Sequence, residues 1–224
     1  MPTSTVEDYV KAIYLLAQES PTGEATVARL AASLGVTKGT VTAMVRKLRE
    51  AGLAEAERYG GITLRPKGER LAIDMLRRHR LVEVFLVETL GLDWAEVHDE
   101  AERLEHALSA KVIDRLDVFL GRPAIDPHGD PIPDAHGKLA PEEWTALSAL
   151  DAGACGTIAR IADQDAGFLD FAATHGMKPG ARVRVVEVVP AAGTLSVRVG
   201  RRAAIGLSLS AASRVLVDPD QAPP

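Results

Sequence analysis

Histidines and carboxylates are concentrated in one short segment of the chain, residues 98–106. Four of its side chains, at i, i+4, i+7 and i+8, lie along one stripe of an α-helix: His98, Glu102, Glu105 and His106. A second segment places His79 and Glu83 at i and i+4 on another helix. Imidazole and carboxylate groups from two helix faces can close around divalent cations without any sulfur ligand. The pattern therefore favours a hard or borderline cation and predicts a metal sensor or a metalloenzyme.

These charged helix faces also have a simpler interpretation, since charged residues at helical spacing most often form an exposed, salt-bridged surface. Two such groups within 30 residues, one with two imidazoles and two carboxylates, favour metal binding. The remaining histidines considered, His128 and His136, fall in a loop rich in proline and glycine, and we expect both to be exposed. Cys155 is predicted to be a packed small hydrophobe rather than a nucleophile.

The charge of the chain is unevenly distributed along its 224 residues. The net charge is −5, but residues 26–80 carry 12 Lys/Arg against 5 Asp/Glu, while residues 81–224 carry 13 against 22. DNA affinity depends on local phosphate contacts and counterion release, so the local balance matters more than the total. The distribution predicts a basic binding module attached to an acidic body.

The basic region has the pattern of a winged helix-turn-helix. The first helix is predicted to start at Ser4, because Ser4 and Glu7 have capping-box spacing. Thr26 precedes a short helix, and Thr37 precedes a third helix that runs to about Glu50. Residues 53–58 and 62–65 alternate like two short strands around a Gly-Gly turn. The third helix is then the recognition helix, with these candidate DNA-binding residues: Thr37, Lys38, Gly39, Thr40, Thr42, Arg46 and Lys47, joined by Arg58 from the wing. The alternative is a structural winged helix that makes protein contacts.

The rest of the chain is predicted to be helical and then β-rich. We expect one long helix from Pro66 to about residue 90, a second from His98 to about residue 120, a loop over 121–141 and a short helix starting at Pro141. Residues 182–189, 194–199 and 204–209 have the composition of strands in a small barrel-like module. The fold class is therefore mostly α with a small β domain, and the predicted domains are residues 1–70, 71–140 and 150–218.

The cellular context follows from what the sequence contains. A single cysteine excludes an intramolecular disulfide and fits a reducing compartment. No apolar run approaches the roughly 20 residues of a membrane span, and the first residues lack the pattern of a secretory signal. We expect a soluble cytoplasmic protein without a membrane partner.

Several motifs in matching order make the chain resemble the diphtheria toxin repressor and manganese transport regulator family of metal-dependent repressors. The likeness covers residues 7–9 and 13–14, residues 36–41 at the start of the recognition helix, residues 78–83, 98–101 and 105–106, the loop 127–133 and residues 176–180. It implies a three-domain form with a winged helix-turn-helix, a helical dimerisation domain and a C-terminal SH3-like β-barrel. It also implies a homodimer that binds double-stranded operator DNA.

The resemblance assigns metal ligands residue by residue. A primary site would use Asp8, Glu102, Glu105 and His106. A second site would use His79, Glu83 and His98 with a carboxylate from the β module, for which Asp165 is the better match and Asp163 the runner-up. Iron-type members have Met and Cys at the positions of Asp8 and Glu102, so this chain resembles the manganese type, with about two ions per chain.

One position departs from the short manganese-type members, which carry a Glu one helical turn after the Asp. Here that residue is Lys11, whose ammonium group cannot bind a cation, so a closely paired two-manganese site is not expected. The predicted function is a Mn²⁺-dependent repressor of metal-uptake genes. The alternatives are an Fe²⁺ sensor of the same family and a metallohydrolase in which His79, Glu83, His98 and His106 hold a catalytic ion.

Overall fold

The computed structural model describes residues 3–56, 60–140, 143–162 and 165–220. The chain divides into two compact units, Met1–His79 with Pro133–Lys138, and Arg80–Ile132 with Leu139–Pro224. None of the described helices is both long enough and apolar enough to cross a membrane.

The first unit is the winged helix-turn-helix that the sequence predicts. Its helices are α1 (Ser4–Gln18), α2 (Val27–Ser33) and α3 (Lys38–Glu50), followed by the antiparallel pair β1 (Ala54–Ala56) and β2 (Ile62–Leu64) and by the start of α4 (Pro66–Val84). Fully buried apolar side chains from α1, α2, α3 and β2 form one core: Ile13, Leu30, Leu48 and Ile62. Removing side chains of this size from water is the main stabilising contribution to such a unit.

Two of the three predicted helix caps are confirmed. The side chains of Thr26 and Thr37 accept hydrogen bonds from the backbone N–H groups of Arg29 and Thr40, each at 3.2 Å. The predicted Ser4 cap is wrong, because α1 already includes Ser4 and its N-cap is Thr3, which makes no side-chain cap hydrogen bond. The predicted start of the first helix at Ser4 is confirmed, and only its N-cap residue differs from the prediction.

The helices after the first unit differ from the prediction at two points. After Val84 the chain continues as a π-helical turn, Phe85–Thr89. The predicted single helix over 98–120 is wrong, because α5 (Val97–Leu104) and α6 (Ala110–Phe119) are separate. The interruption lies at Ser109, which has extended backbone angles and whose Oγ accepts the N–H of Val112 at 3.4 Å. Ser is a preferred N-cap residue, so the sequence contained a signal for this break, which the prediction missed by following the apolar periodicity.

The β module is one six-stranded sheet with strand order β3-β8-β4-β5-β6-β7. Its strands are β3 (Thr145–Ala146), β4 (Cys155–Ile161), β5 (Arg182–Val189), β6 (Thr194–Val199), β7 (Ile205–Ser208) and β8 (Val215–Pro219), with helices α7 (Ala166–Thr174) and α8 (Leu209–Ala212). The predicted strands at 182–189 and 194–199 are confirmed, and the one at 204–209 is confirmed over Ile205–Ser208. Strands β4 and β8 and helix α7 were not predicted. The predicted short helix at Pro141 begins outside the described residues, and Thr145 is already in β3. The predicted class, mostly α with a small β domain, is confirmed.

A β-bulge at Ala159 brings β4 against the loop after α6. The register between β4 and β8 shifts between Ile158 and Arg160, and His128 of that loop accepts the N–H of Ile161 through its carbonyl at 2.8 Å. Gly129 has a φ of +92°, and a Cβ there would lie 2.1 Å from the carbonyl oxygen of Ala159. Only glycine fits this close approach, so the loop is held on the sheet at a defined position.

Candidate metal centres and DNA-binding surface

Three of the predicted primary ligands converge at the end of α5. Glu102 lies in the helix, Glu105 is its C-cap and His106 follows, and each offers a ligand atom within 4.8 Å of the other two. Glu105 is fully buried, and its Oε1 lies 3.7 Å from Nε2 of His106. Two carboxylates and an imidazole this close form a donor set that suits a divalent cation.

The fourth predicted primary ligand, Asp8, belongs to the other unit. It lies in the second turn of α1 and is half-buried. Lys11, one turn later on the same helix, is buried with 7% of its surface exposed. Lys11 therefore lies one helical turn after Asp8, at the position where the short manganese-type members carry a Glu.

The predicted second group is centred on Glu83, which is 1% exposed. His79 lies one helical turn before it on α4 and is also buried. In the second unit, Nδ1 of His98 is 3.3 Å from Oε1 of Glu83, while Nε2 of the same ring is 3.7 Å from Oε1 of Glu102. His98 thus faces a carboxylate with each of its two ring nitrogens.

The predicted ligand from the β module, Asp165, is exposed and serves as the N-cap of α7. Its Oδ1 accepts the N–H of Phe168 at 2.9 Å. Within the described residues, Asp165 is not a member of any cluster of His, Asp and Glu side chains close enough together to bind one metal ion. A pocket of about 540 Å³ is nevertheless lined by both His98 and Ala166, the residue after Asp165. The runner-up, Asp163, lies outside the described residues.

The loop after α6 contains functional groups that the sequence reasoning misplaced. His136 is exposed as predicted, but the prediction for His128 is wrong, because only 2% of its surface is exposed. It forms a buried group with Asp126 and Glu83, each offering a ligand atom within 4.8 Å of the others. The missed signal is the pair Asp126 and Asp130 around a Pro-His-Gly turn, a pattern in which an Asp side chain caps its own loop. Cys155, predicted to be packed, is only half-buried at the start of β4.

The candidate DNA-binding residues lie on the outer face of α3. Val41, Val45 and Leu48 are buried at i, i+4 and i+7 and attach the helix to its core. Seven candidates are on the exposed face: Thr37, Lys38, Gly39, Thr40, Thr42, Arg46 and Lys47. The first turn offers small polar groups, whereas the later turns offer cations suited to phosphates. The eighth candidate, Arg58, lies outside the described residues.

Comparison with known protein families covers most of the chain. Residues 1–62 match the iron dependent repressor N-terminal DNA binding domain, residues 65–134 match the iron dependent repressor metal binding and dimerisation domain, and residues 145–219 match the FeoA domain.

Individual relatives agree with these matches. The chain is 41% identical over 116 residues to the transcriptional regulator MntR of Lysinibacillus sphaericus, covering 52% of this chain and 81% of the relative. It is 34% identical over 201 residues to the iron-dependent repressor IdeR of Mycobacterium tuberculosis, covering 84% and 86%.

Solved structures give the same result. A manganese-dependent transcriptional repressor in complex with manganese superposes with a TM-score of 0.88 at 41% identity, over 96% of this chain and 99% of the other. IdeR of T. acidophilum superposes with a TM-score of 0.79 at 31% identity, over 98% and 100%.

A winged helix, a helical domain with His and carboxylate clusters and a FeoA domain together define a metal-dependent DNA-binding regulator, not an enzyme. The chain belongs to the iron-dependent repressor family of transcriptional regulators. The metallohydrolase alternative is therefore wrong, and the resemblance stated from sequence motifs is confirmed.

Proposed function

We propose that this protein is a Mn²⁺-activated repressor that binds double-stranded operator DNA as a homodimer and controls metal-uptake genes. The observation that carries the proposal is the convergence of Glu102, Glu105 and His106 at the end of α5. Binding to chromosomal DNA makes the cytoplasm its site of action.

The donor set supports manganese. Oxygen and imidazole ligands suit Mn²⁺, whereas sulfur ligands favour later transition metals. We assign Asp8 as the fourth primary ligand, because it matches the manganese-type members of the family. We assign His79, Glu83 and His98 to a second site, completed by Asp165 beside the pocket that His98 and Ala166 line. This gives about two ions per chain at the predicted sites.

The primary ligands would couple metal binding to the position of the DNA-binding unit. Without a cation, the carboxylates of Glu102 and Glu105 repel each other, and Asp8 adds a third negative charge when it approaches. A bound divalent ion supplies the positive charge that turns this repulsion into attraction. Asp8 then fixes α1, and with it the winged helix, in the arrangement that binds DNA. Because the coupling is reciprocal, DNA should also raise the affinity for the metal.

Exposed apolar side chains support the homodimer. The helical part of the second unit leaves five large hydrophobic residues between 39% and 67% exposed: Leu90, Leu104, Val112, Val118 and Phe119. Most stand on α5 and α6 or directly beside them, within the region that matches the dimerisation domain. A homodimer has two copies of α3, as binding to two half-sites in successive major grooves, about 34 Å apart, requires.

An Fe²⁺-dependent repressor is the second candidate. Carboxylate and imidazole groups also bind Fe²⁺, and the similarity to IdeR of Mycobacterium tuberculosis extends over 84% of this chain. The presence of Asp8 and Glu102 in place of sulfur ligands is the reason for preferring manganese.

The test is DNA-binding anisotropy with operator-length duplex, titrated separately with Mn²⁺, anaerobic Fe²⁺, Zn²⁺ and chelator. We expect tight binding only with metal and, for Asp8→Asn, loss of the response to Mn²⁺. Glu7→Gln is the matched control, because it removes a neighbouring carboxylate about 100° away around the same helix. Binding that is equally tight in chelator would refute the proposal, and a response to Fe²⁺ at lower free concentration than Mn²⁺ would favour the second candidate.

A further inference from the structure

The buried group of Glu83, Asp126 and His128 is the starting point. These side chains are 1%, 5% and 2% exposed, and each offers one ligand atom within 4.8 Å of the other two. Acidic clusters on protein surfaces are common, but a buried combination of two carboxylates and an imidazole is costly unless a cation balances it. All three residues belong to the second unit.

The orientation of His128 is fixed by its neighbours. Its Nε2 lies 3.0 Å from the carbonyl oxygen of Trp94, and the two rings are tilted against each other with centroids 4.9 Å apart. A carbonyl oxygen only accepts, so Nε2 carries the proton. In the neutral ring Nδ1 then presents its lone pair towards Oε2 of Glu83, 3.7 Å away. A backbone carbonyl that accepts from one ring nitrogen, and so leaves the other free to bind an ion, is a usual environment of a metal-binding histidine.

Asp126 is held just as firmly. Its Oδ1 accepts the backbone N–H groups of His128 at 2.8 Å and Asp130 at 2.9 Å. The loop geometry therefore fixes this carboxylate in a buried position beside Glu83 and His128.

Arg80 lies beside this group but contacts Asp130 more closely than Asp126. The guanidinium of Arg80 donates to Oδ1 of Asp130 at 2.9 Å and to the carbonyl oxygen of Pro131, and its Nε stays 3.9 Å from Oδ2 of Asp126. Arg160 also pairs with Asp130, at 2.8 Å, and its side chain is 26% exposed. The guanidinium groups of Arg80 and Arg160 are thus both directed mainly at Asp130.

The distance between His128 and Glu83 leaves room for a metal ion that both residues bind. A charge-assisted hydrogen bond would bring Nδ1 and Oε2 to about 2.7–2.9 Å, shorter than the observed 3.7 Å. Two ligands that each lie about 2.1 Å from one ion are separated by roughly 3–4 Å. The observed spacing fits the metal.

We propose that Glu83, Asp126 and His128 form a third metal site for a divalent transition-metal ion. Glu83 would bridge this site and the proposed second site, because its Oε1 faces His98 at 3.3 Å while its Oε2 faces His128. An ion here would join α4 to the loop that packs on β4 through the hydrogen bond from the N–H of Ile161 to the carbonyl of His128. The site is separate from the proposed DNA-coupling site, and its test does not depend on DNA binding.

The experiment counts ions and locates them in the full-length protein. Crystals grown with saturating Mn²⁺, and others with Zn²⁺, are measured at the absorption edge of each metal, and ions per chain are counted by mass spectrometry after equilibrium dialysis. We expect an anomalous peak about 2–2.3 Å from Nδ1 of His128 and a total of about three ions per chain. Asp8→Asn should leave that peak in place, which separates this proposal from the primary switch.

Variants complete the test. His128→Gln and Asp126→Asn should each remove the peak and lower the ion count, while His136→Gln, at the exposed histidine of the same loop, should change neither. Far-ultraviolet circular dichroism checks that each variant folds. The wild-type diffraction decides even if a variant does not fold. No peak beside His128 with either metal overturns the proposal, as does an unchanged ion count in a folded His128→Gln variant.

Discussion

Replacing Glu105 by Gln perturbs the proposed primary site with little change in volume. Glu105 is fully buried, and its ligand atom lies within 4.8 Å of that of Glu102. At this distance, with an effective dielectric constant of 20–40 because Glu102 is partly exposed, two carboxylates repel by about 2–3 kcal/mol. The substitution removes that repulsion from the metal-free protein and also removes a charged ligand from the metal-bound protein.

Opposite effects on the two states are therefore expected. Without metal, the helical domain of Glu105→Gln should melt about 5 °C higher, because 1 kcal/mol corresponds to about 2–4 °C at this chain length. With Mn²⁺, the affinity should fall by at least about 100-fold, and the Mn²⁺ concentration needed for DNA binding should rise in proportion.

Differential scanning calorimetry with and without chelator, together with isothermal titration of Mn²⁺, measures both effects. Glu100→Gln is the matched control: it removes a carboxylate from the same helix, but one that is 46% exposed and paired with Arg103. It should change neither the melting temperature nor the affinity appreciably. The reasoning fails if Glu105→Gln binds Mn²⁺ as tightly as the wild type, or if the metal-free protein is destabilised instead.

Three further predictions concern the scaffold. Gly129→Ala should lower the free energy of unfolding of the second unit by more than about 3 kcal/mol, since a Cβ there meets the backbone oxygen of Ala159 at 2.1 Å. The control Gly153→Ala, at a similar φ of +90° but in open space, should lower it by only about 1 kcal/mol. Equal losses for the two variants in urea denaturation would contradict this prediction. Thr37→Ala should cost about 1 kcal/mol by removing the cap of α3, whereas Thr37→Ser should restore it; a loss that Ser fails to restore would show that the cap is not the cause. The hydrogen bonds from Arg182 hold the pKa of Asp220 below its usual range, so this pair contributes stability above about pH 4 that is lost on acidification through the lowered pKa. A carboxyl NMR titration should find that pKa returned to its ordinary value in Arg182→Gln, and an unchanged pKa would exclude Arg182 as the cause.

Local sequence patterns determined much of this protein. The caps at Thr26 and Thr37, the buried spacing of Val41, Val45 and Leu48, and the strands at 182–189 and 194–199 depend on residues a few positions apart, so short-range rules were sufficient. The group formed by Glu102, Glu105 and His106 was also found from residue spacing, although α5 ends at Leu104 and the last two residues lie in the turn that follows. Predictions of helix bounds were wrong where two local signals competed, as at Ser109, where the N-cap breaks the helix that the apolar periodicity predicts.

Tertiary structure decided what local patterns cannot encode. The sequence places His128 in a loop rich in glycine and proline, which predicts exposure; packing of that loop on the bulge of β4 buries it beside Glu83, 45 positions earlier in the chain. Which distant side chains meet depends on how whole elements pack, and packing is set by the summed burial of many apolar groups rather than by the few residues that meet. The candidate third site is therefore visible only after folding, whereas the helix faces that carry the proposed metal switch could be read from residue spacing.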